Sequence, residues 1–277
     1  MTARQVMEVP LVVLRTGVAD QRAKRLRRSS RSLERLIGVI ALLSIWQVAA
    51  WLGWITPDIL AGPLNVLGTA WDLLVDGTLA GAVCASLQRV VIGLAIGIPV
   101  GVGLAVWSGL SRTGENLVDS PMQMIRFLPV IALQPLFLLW FGIGNEAKIA
   151  LISFGVVFPV YINTSVAIRT IDPRNLELAK TIGLTRWATI RRVVLTAVTP
   201  AFLVGLRMAV AISWLILVFA EQINAREGVG ALVIKAQTFF LTDVIVVCLG
   251  VYAVLGLLSD FGVRLLERKV LQWQPGR

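Results

Sequence analysis

The sequence predicts an all-α integral membrane protein with six transmembrane helices. The chain of 277 residues is 57% hydrophobic and has a mean hydropathy of +0.81, whereas soluble domains average about 45–50% apolar residues. Six apolar segments approach the length of about 20 residues that crosses a bilayer. Positive charges also collect in alternate connecting segments, as the positive-inside rule predicts for a membrane protein.

The predicted spans follow a basic tail over residues 1–35 and form a transmembrane domain over 36–270, with a short end at 271–277. A short amphipathic helix at 64–74 lies between the first two spans, and a tight turn at 142–147 joins the third and fourth. The spans cover approximately residues 36–55, 83–107, 118–141, 148–168, 197–220 and 241–265.

The net charge is +10, and the Lys and Arg residues are divided unequally between the segments predicted on the two sides of the membrane. With the N-terminus inside, most Lys and Arg residues outside the spans lie in inward segments, including the tail and residues 172–196, which we call the polar segment. Outward segments hold only Lys148, Arg226 and Lys235. Both termini are therefore predicted to be cytoplasmic, with the tail near anionic lipid. The charge does not gather on one soluble face, which excludes a nucleic-acid-binding role.

Span two carries glycines at a spacing of four residues, which lets a neighbouring helix approach closely. They are Gly93, Gly97 and Gly101, and Arg89 lies one step earlier on the same stripe. Because a charge facing lipid is costly, we expect the Arg89 guanidinium to face protein. Two roles stay open for it: pairing with a helix end or a buried acid, or lining a solute path.

Span three combines prolines with polar side chains. A proline inside a membrane helix frees a backbone carbonyl, which then needs a partner in protein or water. The segment could therefore line a cavity, or its prolines could only produce packing kinks. The residues concerned are Pro121, Gln123, Arg126, Pro129, Gln134 and Pro135.

The polar segment predicts two short helices at an angle. Asp172 can cap the first helix, and Pro173 fits its first turn. Gly183 is expected to end that helix, because glycine adopts the left-handed conformation without steric cost. The second helix begins near Arg186 and continues into span five. Two such helices form a protrusion that can dock into a groove on another protein.

Contact residues of this protrusion follow from their chemistry. Leu176, Ala179 and Leu184 are predicted to supply buried contact. Glu177 and Arg186 are predicted to supply complementary charge at the rim.

Several kinds of site are excluded by composition. The chain has no His, which removes Ser-His, Cys-His and zinc-His catalysis. Cys84 and Cys248 have no spacing typical of metal ligands. Residues 142–148 contain glycines before a lysine, but Ala147 and Ile149 stand where a phosphate-binding loop needs Gly and Ser or Thr. We therefore expect no cofactor and no nucleotide in this chain.

The polar segment resembles the EAA loop of type I ABC importer permeases. Glu177, Ala179 and Gly183 match the acid, the small residue and the glycine of the motif E-x-A-x-x-x-G. Leu178 stands where the general motif has Ala, and Thr196 stands where it has Pro. The second difference affects the expected entry of the chain into span five.

The wider chain is similar to the branch of that family that serves aliphatic sulfonates, taurine and nitrate, with sulfonate permeases most alike. The similarity covers nearly everything after Ser44. The matching stretches are LAGPLNVL, SLQRVVIGLAIGIPVG, QMIRFLPVIALQPLFLLWFGIG, FPVYINT, ELAKTIGLTRW, AISWLILVFAE and LLERKVLQWQPG.

This resemblance implies the permease fold with a cytoplasmic EAA coupling helix, in a multi-pass protein of the bacterial inner membrane. It implies a non-catalytic subunit, with ATP and Mg²⁺ bound by two separate ATPase subunits. The further partners implied are a second permease subunit, as a homodimer, and an extracytoplasmic substrate-binding protein. The implied solute is an aliphatic sulfonate; alternatives are taurine, nitrate, bicarbonate or another small organic solute.

Within this interpretation, Leu176, Glu177, Ala179, Gly183, Leu184 and Arg186 are the residues that couple the chain to its ATPase. Inward-facing polar and basic residues would lower the electrostatic barrier to an anion. The path residues predicted on this ground are Arg89, Gln123, Arg126, Asn163, Arg207 and Ser213. Glu221, at the outer end of span five, is predicted to orient an outer gate or contact the binding protein, or else to be a solvated helix end.

Two other classes of protein compete with this interpretation. A stand-alone secondary carrier could also have six spans, and intramembrane arginines would suit anion exchange. An integral-membrane enzyme is disfavoured by the absence of His and of clustered carboxylates.

Overall fold

The computed structural model describes residues 37–272 except for 39, 57 and 224, and it describes residue 186 without its side chain. The predicted basic tail at 1–35 and residues 273–277 of the C-terminal end lie outside the described residues. The described residues divide into two compact units, one that ends at Leu64 and one that begins at Asn65.

The described residues form helices and no strand. In chain order the helices are α1 (Ile40–Trp51), α2 (Pro63–Val75), α3 (Thr78–Leu110), α4 (Arg112–Ile125), α5 (Val130–Phe141), α6 (Asn145–Arg169), α7 (Pro173–Thr181), α8 (Trp187–Gln222), α9 (Val229–Thr238) and α10 (Thr242–Val270).

Four of the described helices, α3, α6, α8 and α10, are long and apolar enough to cross a membrane. They correspond to the predicted spans two, four, five and six. The pair α4 and α5 meets the same criterion as a broken fifth span, and α1 is apolar but shorter than a full span. The structure thus supports a helical membrane protein with four or five candidate spans in its described part.

The third span predicted over 118–141 corresponds to two helices, α4 and α5, which are bent by 92° to each other. The break follows from the prolines. Pro129 has an extended backbone conformation before α5 and has no N–H to donate to a helix. Pro121 lies in the first turn of the α-helix Ser120–Ile125, and Pro135 in the first turn of Gln134–Phe141, where a proline is tolerated.

Helices α3, α6 and α8 pack around the main apolar core. The predicted glycine stripe lies where α3 meets α6. A Cβ atom added to Gly97 would lie 2.6 Å from the backbone oxygen of Ser153 and 2.8 Å from Cγ1 of Val156, so only glycine permits this approach. Buried residues that form this core include Val90, Leu151, Ile152, Val156, Leu206, Ala209 and Leu217.

Candidate functional sites: the polar segment and a buried ion pair

The start and end of α7 agree with the prediction from sequence. Asp172 Oδ1 accepts a hydrogen bond of 2.9 Å from the backbone N–H of Arg174. Gly183 has a φ of 74°. Its N–H donates to the Lys180 carbonyl, and the N–H of Leu184 donates to the Ala179 carbonyl, each at 3.0 Å. These two bonds form a Schellman motif, the C-terminal cap that glycine favours.

The second helix of the polar segment is the first part of the long helix α8, so it continues into span five as predicted. Thr185 Oγ1 accepts a hydrogen bond of 3.3 Å from the N–H of Ala188. A π-helical turn at Ile190–Val194 precedes the α-helix Leu195–Gln222. Thr196 stands where the EAA motif has proline. It is exposed, in the first turn of that α-helix.

Apolar side chains of α7 point in two directions. Leu176 packs against the apolar cluster formed by Ile168, Val194 and Val198, and Ala179 is buried. The structure therefore places two of the predicted contact residues against their own chain.

An outward apolar face remains on the polar segment. Leu178, Ile182 and Trp187 are 60%, 64% and 72% exposed. Beside them an open groove is lined partly by Ala179 and Leu184. Sequence reasoning did not identify Leu178 and Trp187 as contact residues. The spacing of Leu178 and Ile182, four residues apart, could have placed them on one helix face.

Of the two charged contact residues predicted for the polar segment, the structure describes the side chain of one. Glu177 is exposed, and its backbone carbonyl accepts a hydrogen bond of 3.0 Å from Thr181 Oγ1. The side chain of Arg186 lies outside the described residues.

A second candidate site lies around Glu221, at the far end of α8. Its carboxylate is fully buried. The alternative prediction that Glu221 is part of a solvated helix end is therefore wrong. It forms an ion pair with Arg89. It also accepts hydrogen bonds from Ser86 Oγ at 2.8 and 2.9 Å, from Gly230 N–H at 2.9 Å and from the Tyr252 hydroxyl at 3.3 Å.

The Arg89 guanidinium joins this carboxylate to two further elements. Its Nε donates to Asn145 Oδ1 at 2.9 Å, and its Nη1 donates to the backbone carbonyl of Glu227 at 2.9 Å. One buried pair therefore connects α3, α6, α8 and the loop before α9. Of the two roles left open for Arg89 in the sequence, pairing with a buried acid is the one that the geometry shows.

Three predicted path residues lie at or near α4 and α6. Gln123 and Arg126 are exposed, and the Arg126 guanidinium lies 4.8 Å from the centre of the Phe127 ring. Asn163 is half-buried and donates a hydrogen bond of 2.8 Å to the Pro159 carbonyl.

The two remaining path residues are on α8. Arg207 Nε donates to Asp260 Oδ1 at 2.6 Å, and Asp260 also accepts from Arg264 at 2.8 Å. Ser213 is fully buried, and its hydroxyl donates to the Val210 carbonyl at 2.7 Å. The described part of one chain does not bring the predicted path residues together at a single site.

A further polar cluster, which sequence reasoning missed, lies next to the polar segment. Asp119 forms an ion pair with Arg169, accepts a hydrogen bond from the Tyr161 hydroxyl, and accepts one of 2.7 Å from Ser108 Oγ. These contacts join the ends of α3 and α6 to the π-helical turn in α4. They involve residues far apart in the chain, so no local signal could have found them.

Comparison with known proteins identifies relatives across most of the chain. Residues 97–272 match the family described as "Binding-protein-dependent transport system inner membrane component". The chain is 42% identical over 236 residues to the putative aliphatic sulfonates transport permease protein SsuC of Escherichia coli (strain K12), covering 85% of this chain and 90% of that protein. It is 35% identical to the SsuC protein of Bacillus subtilis (strain 168), covering 94% of each. The taurine transport system permease protein TauC of Escherichia coli (strain K12) is 32% identical, over 88% of this chain and 91% of that protein.

Among solved structures, an inward-facing MetNI methionine ABC transporter matches with a TM-score of 0.52 at 20% identity, covering 75% of this chain and 96% of that chain. At this level of identity the likeness concerns the fold alone.

Proposed function

This chain belongs to the family of inner-membrane components of binding-protein-dependent transport systems, and we propose that it is the permease subunit of an ATP-driven importer of aliphatic sulfonates. The observation that carries the proposal is its 42% identity to an SsuC protein over 90% of that protein's length. The chain itself supplies the membrane passage and performs no catalysis.

We propose six spans with both termini in the cytoplasm. The helices α3, α6, α8 and α10 supply four of them, α1 with its flanking residues supplies the first, and the bent pair α4 and α5 supplies the third. The distribution of Lys and Arg residues supports this orientation, which puts the polar segment on the cytoplasmic side of the inner membrane.

The polar segment is then the coupling element for the ATPase. Its exposed Leu178, Ile182 and Trp187 form an apolar face that is costly to leave in water. Glu177 is available at the rim of this face. We assign the docking contact to this face, with Leu184 in the adjoining groove, while Leu176, Ala179 and Gly183 hold the shape of α7.

Motion of the ATPase would enter the permease through this segment. Because the segment continues into α8, a displacement there is transmitted towards Glu221 and the elements bound to it. Two such chains, two ATPase subunits carrying Mg-ATP, and a substrate-binding protein on the outer face complete the proposed assembly. Arg89, Gln123, Arg126, Asn163, Arg207 and Ser213 remain candidates for the solute path, and Glu221 for the outer gate.

Taurine is the second candidate solute, because the chain is also 32% identical to TauC. Taurine carries the same sulfonate group with an added ammonium. Nitrate, bicarbonate and other small solutes remain alternatives within the same type of importer.

The experiment is reconstitution of this chain, its ATPase and its binding protein in proteoliposomes, followed by uptake of radiolabelled butanesulfonate. We expect uptake only with ATP inside the vesicles and binding protein outside, and we expect excess taurine to compete weakly. An ATPase variant without hydrolytic activity is the control. Uptake by this chain without its ATPase would contradict the proposal and favour a secondary carrier.

A further inference from the structure

An open cavity of about 400 Å³ lies beside the buried ion pair of Arg89 and Glu221. We propose that this cavity is an acceptor site for an anionic head group of the transported solute. The proposal rests on the proposed function for the identity of that group, a sulfonate. Residues that line the cavity are Arg89, Ile143, Gly144, Asn145, Lys148, Arg226 and Glu227.

Lys148 is the strongest indication of an anion at this place. The residue is only 4% exposed, yet the single hydrogen bond from its Nζ to a described residue is the one of 3.2 Å to the Gly144 carbonyl. Within the described residues, no carboxylate lies close enough to Lys148 for an ion pair. Glu221 and Glu146 attract its charge from a greater distance. An ammonium has three N–H donors, and leaving buried donors without an acceptor is costly. An oxyanion in the cavity would supply the missing acceptors.

The other cations of the cavity add donors of the same kind. Arg89 uses Nε and Nη1 for Asn145, Glu221 and Glu227, and its Nη2 has no hydrogen bond to any described residue. Arg226 lines the cavity from the loop before α9 and is exposed.

The charges around the cavity are three cations and three acids. Glu221 neutralises Arg89, and Glu227 lines the same cavity as Lys148 and Arg226. Glu146, in the first turn of α6, also attracts the charge of Lys148, so an anion would be held by the unfilled N–H donors and not by an excess of positive charge. The first turn of α6, at Asn145, also presents backbone N–H groups, which favour an anion at a helix N-terminus.

The cavity lies at the correct end of the molecule to receive solute from outside. Asn145 and Lys148 are in the first turn of α6, and the polar segment follows the end of the same helix. The 25 residues of α6 correspond to roughly 37 Å, more than the bilayer core of about 30 Å. If the polar segment faces the cytoplasm, the cavity faces the side from which a binding protein delivers the solute.

The test uses the complex of this chain with its ATPase in nanodiscs of phosphatidylcholine. The midpoint of thermal unfolding is measured against butanesulfonate concentration, with butanol and sodium chloride as neutral and ionic-strength controls. Lys148→Met removes the charge, and Lys148→Arg keeps it. Arg226→Gln is a second charge removal, at an exposed position. Lys235→Met is the matched control, because Lys235 is an exposed lysine of α9 and does not line the cavity.

We expect butanesulfonate to stabilise the wild-type complex, and Lys148→Met to weaken its apparent affinity at least about tenfold, as loss of a hydrogen bond to a charged group predicts. Arg226→Gln should weaken it too, while Lys148→Arg and Lys235→Met should stay near wild type. Equal affinities for Lys148→Met and wild type would overturn the proposal. So would an equal loss in Lys235→Met, or stabilisation by added phosphatidylglycerol in place of butanesulfonate, which would mark a lipid site.

Failure of this site and failure of the proposed function give different results. If nitrate or inorganic sulfate stabilises the complex in a Lys148-dependent way and butanesulfonate does not, the anion site stands and the sulfonate assignment fails. If proteoliposomes take up butanesulfonate but no anion stabilises the complex through Lys148, the site fails and the function stands.

Discussion

The carboxylate of Glu221 and the guanidinium of Arg89 are 132 residues apart in the chain and form one buried pair. Sequence reasoning placed Arg89 within span two and Glu221 at the outer end of span five, and the cost of exposing a charge to lipid indicated that Arg89 faces protein. It could not identify the partner, because the contact depends on how α3 and α8 pack. The Glu221 carboxylate is fully hydrogen-bonded, and Arg89 donates from Nε and Nη1; such additional bonds help a buried pair to be tolerated.

This pairing predicts that Glu221→Gln destabilises the protein strongly. Removing one member leaves the Arg89 charge buried without compensation, at a cost of about 3–5 kcal/mol. The double variant Arg89→Gln/Glu221→Gln should be more stable than the single one, since no unpaired charge remains. Unfolding of the purified protein in detergent measures both, with Glu227→Gln as control, because Glu227 contacts Arg89 through its backbone carbonyl. A single variant as stable as wild type would contradict the interpretation.

Within a single element, residue types were enough to predict where α7 begins and ends. They were not enough to predict which face of α7 packs against the rest of the chain. Asp172 and Gly183 act on backbone groups of their immediate neighbours, so residue type alone predicted the cap and the termination. Which face contacts the rest of the chain depends on tertiary packing. Leu176 and Ala179 therefore proved to be internal contacts, and Leu178 and Ile182 form the exposed face.

The exposed face of α7 predicts where the ATPase binds. Ile182→Ser and Leu178→Ser should each weaken association of the ATPase by about tenfold or more, because each side chain contributes roughly 1.5–3 kcal/mol when buried. The control is Lys180→Ser, since Lys180 is exposed and lies about 200° around the helix from Leu178. Co-purification of the ATPase and its stimulated activity are the measurements. Normal stimulation in both apolar variants would exclude this face as the docking contact.

Packing between α3 and α6 gives a second prediction at this scale. Gly97→Ala should destabilise the protein by about 1–3 kcal/mol, because its Cβ atom would overlap the backbone of α6. Gly103→Ala is the matched control, as a Cβ atom there meets nothing within 4 Å and alanine favours the helix by roughly 0.5–1 kcal/mol. Unfolding midpoints of the two variants should therefore shift in opposite directions. Shifts of the same sign would show that the glycine stripe is not a packing constraint.

For the whole molecule, hydropathy predicted α3, α6, α8 and α10 well, because a membrane selects long apolar helices regardless of their packing. It could not predict the 92° angle between α4 and α5. Prolines indicated where a break could occur, but its direction depends on the helices that surround it. The solute-path residues that were predicted from their charge or polarity are likewise spread over several helices. The presence of a polar side chain in a span does not show which cavity that side chain faces.

The proposed orientation of the whole chain can be tested with reporters. Green fluorescent protein fused after the C-terminus should fluoresce, because it folds in the cytoplasm. Alkaline phosphatase fused after residue 142, between α5 and α6, should be active, because it requires the periplasm. A phosphatase fusion in the polar segment is the control and should be inactive. The opposite pattern would invert the assignment of inside and outside.

The α-helical part of α8, Leu195–Gln222, has a mechanical consequence. Its 28 residues correspond to roughly 42 Å, with the polar segment at one end and Glu221 near the other. Tilting this helix by about 4° about one end moves the other end by about 3 Å, comparable to the length of a hydrogen bond. If an ATPase displaces the polar segment, as proposed, a small movement there would be enough to separate the charges at the far end.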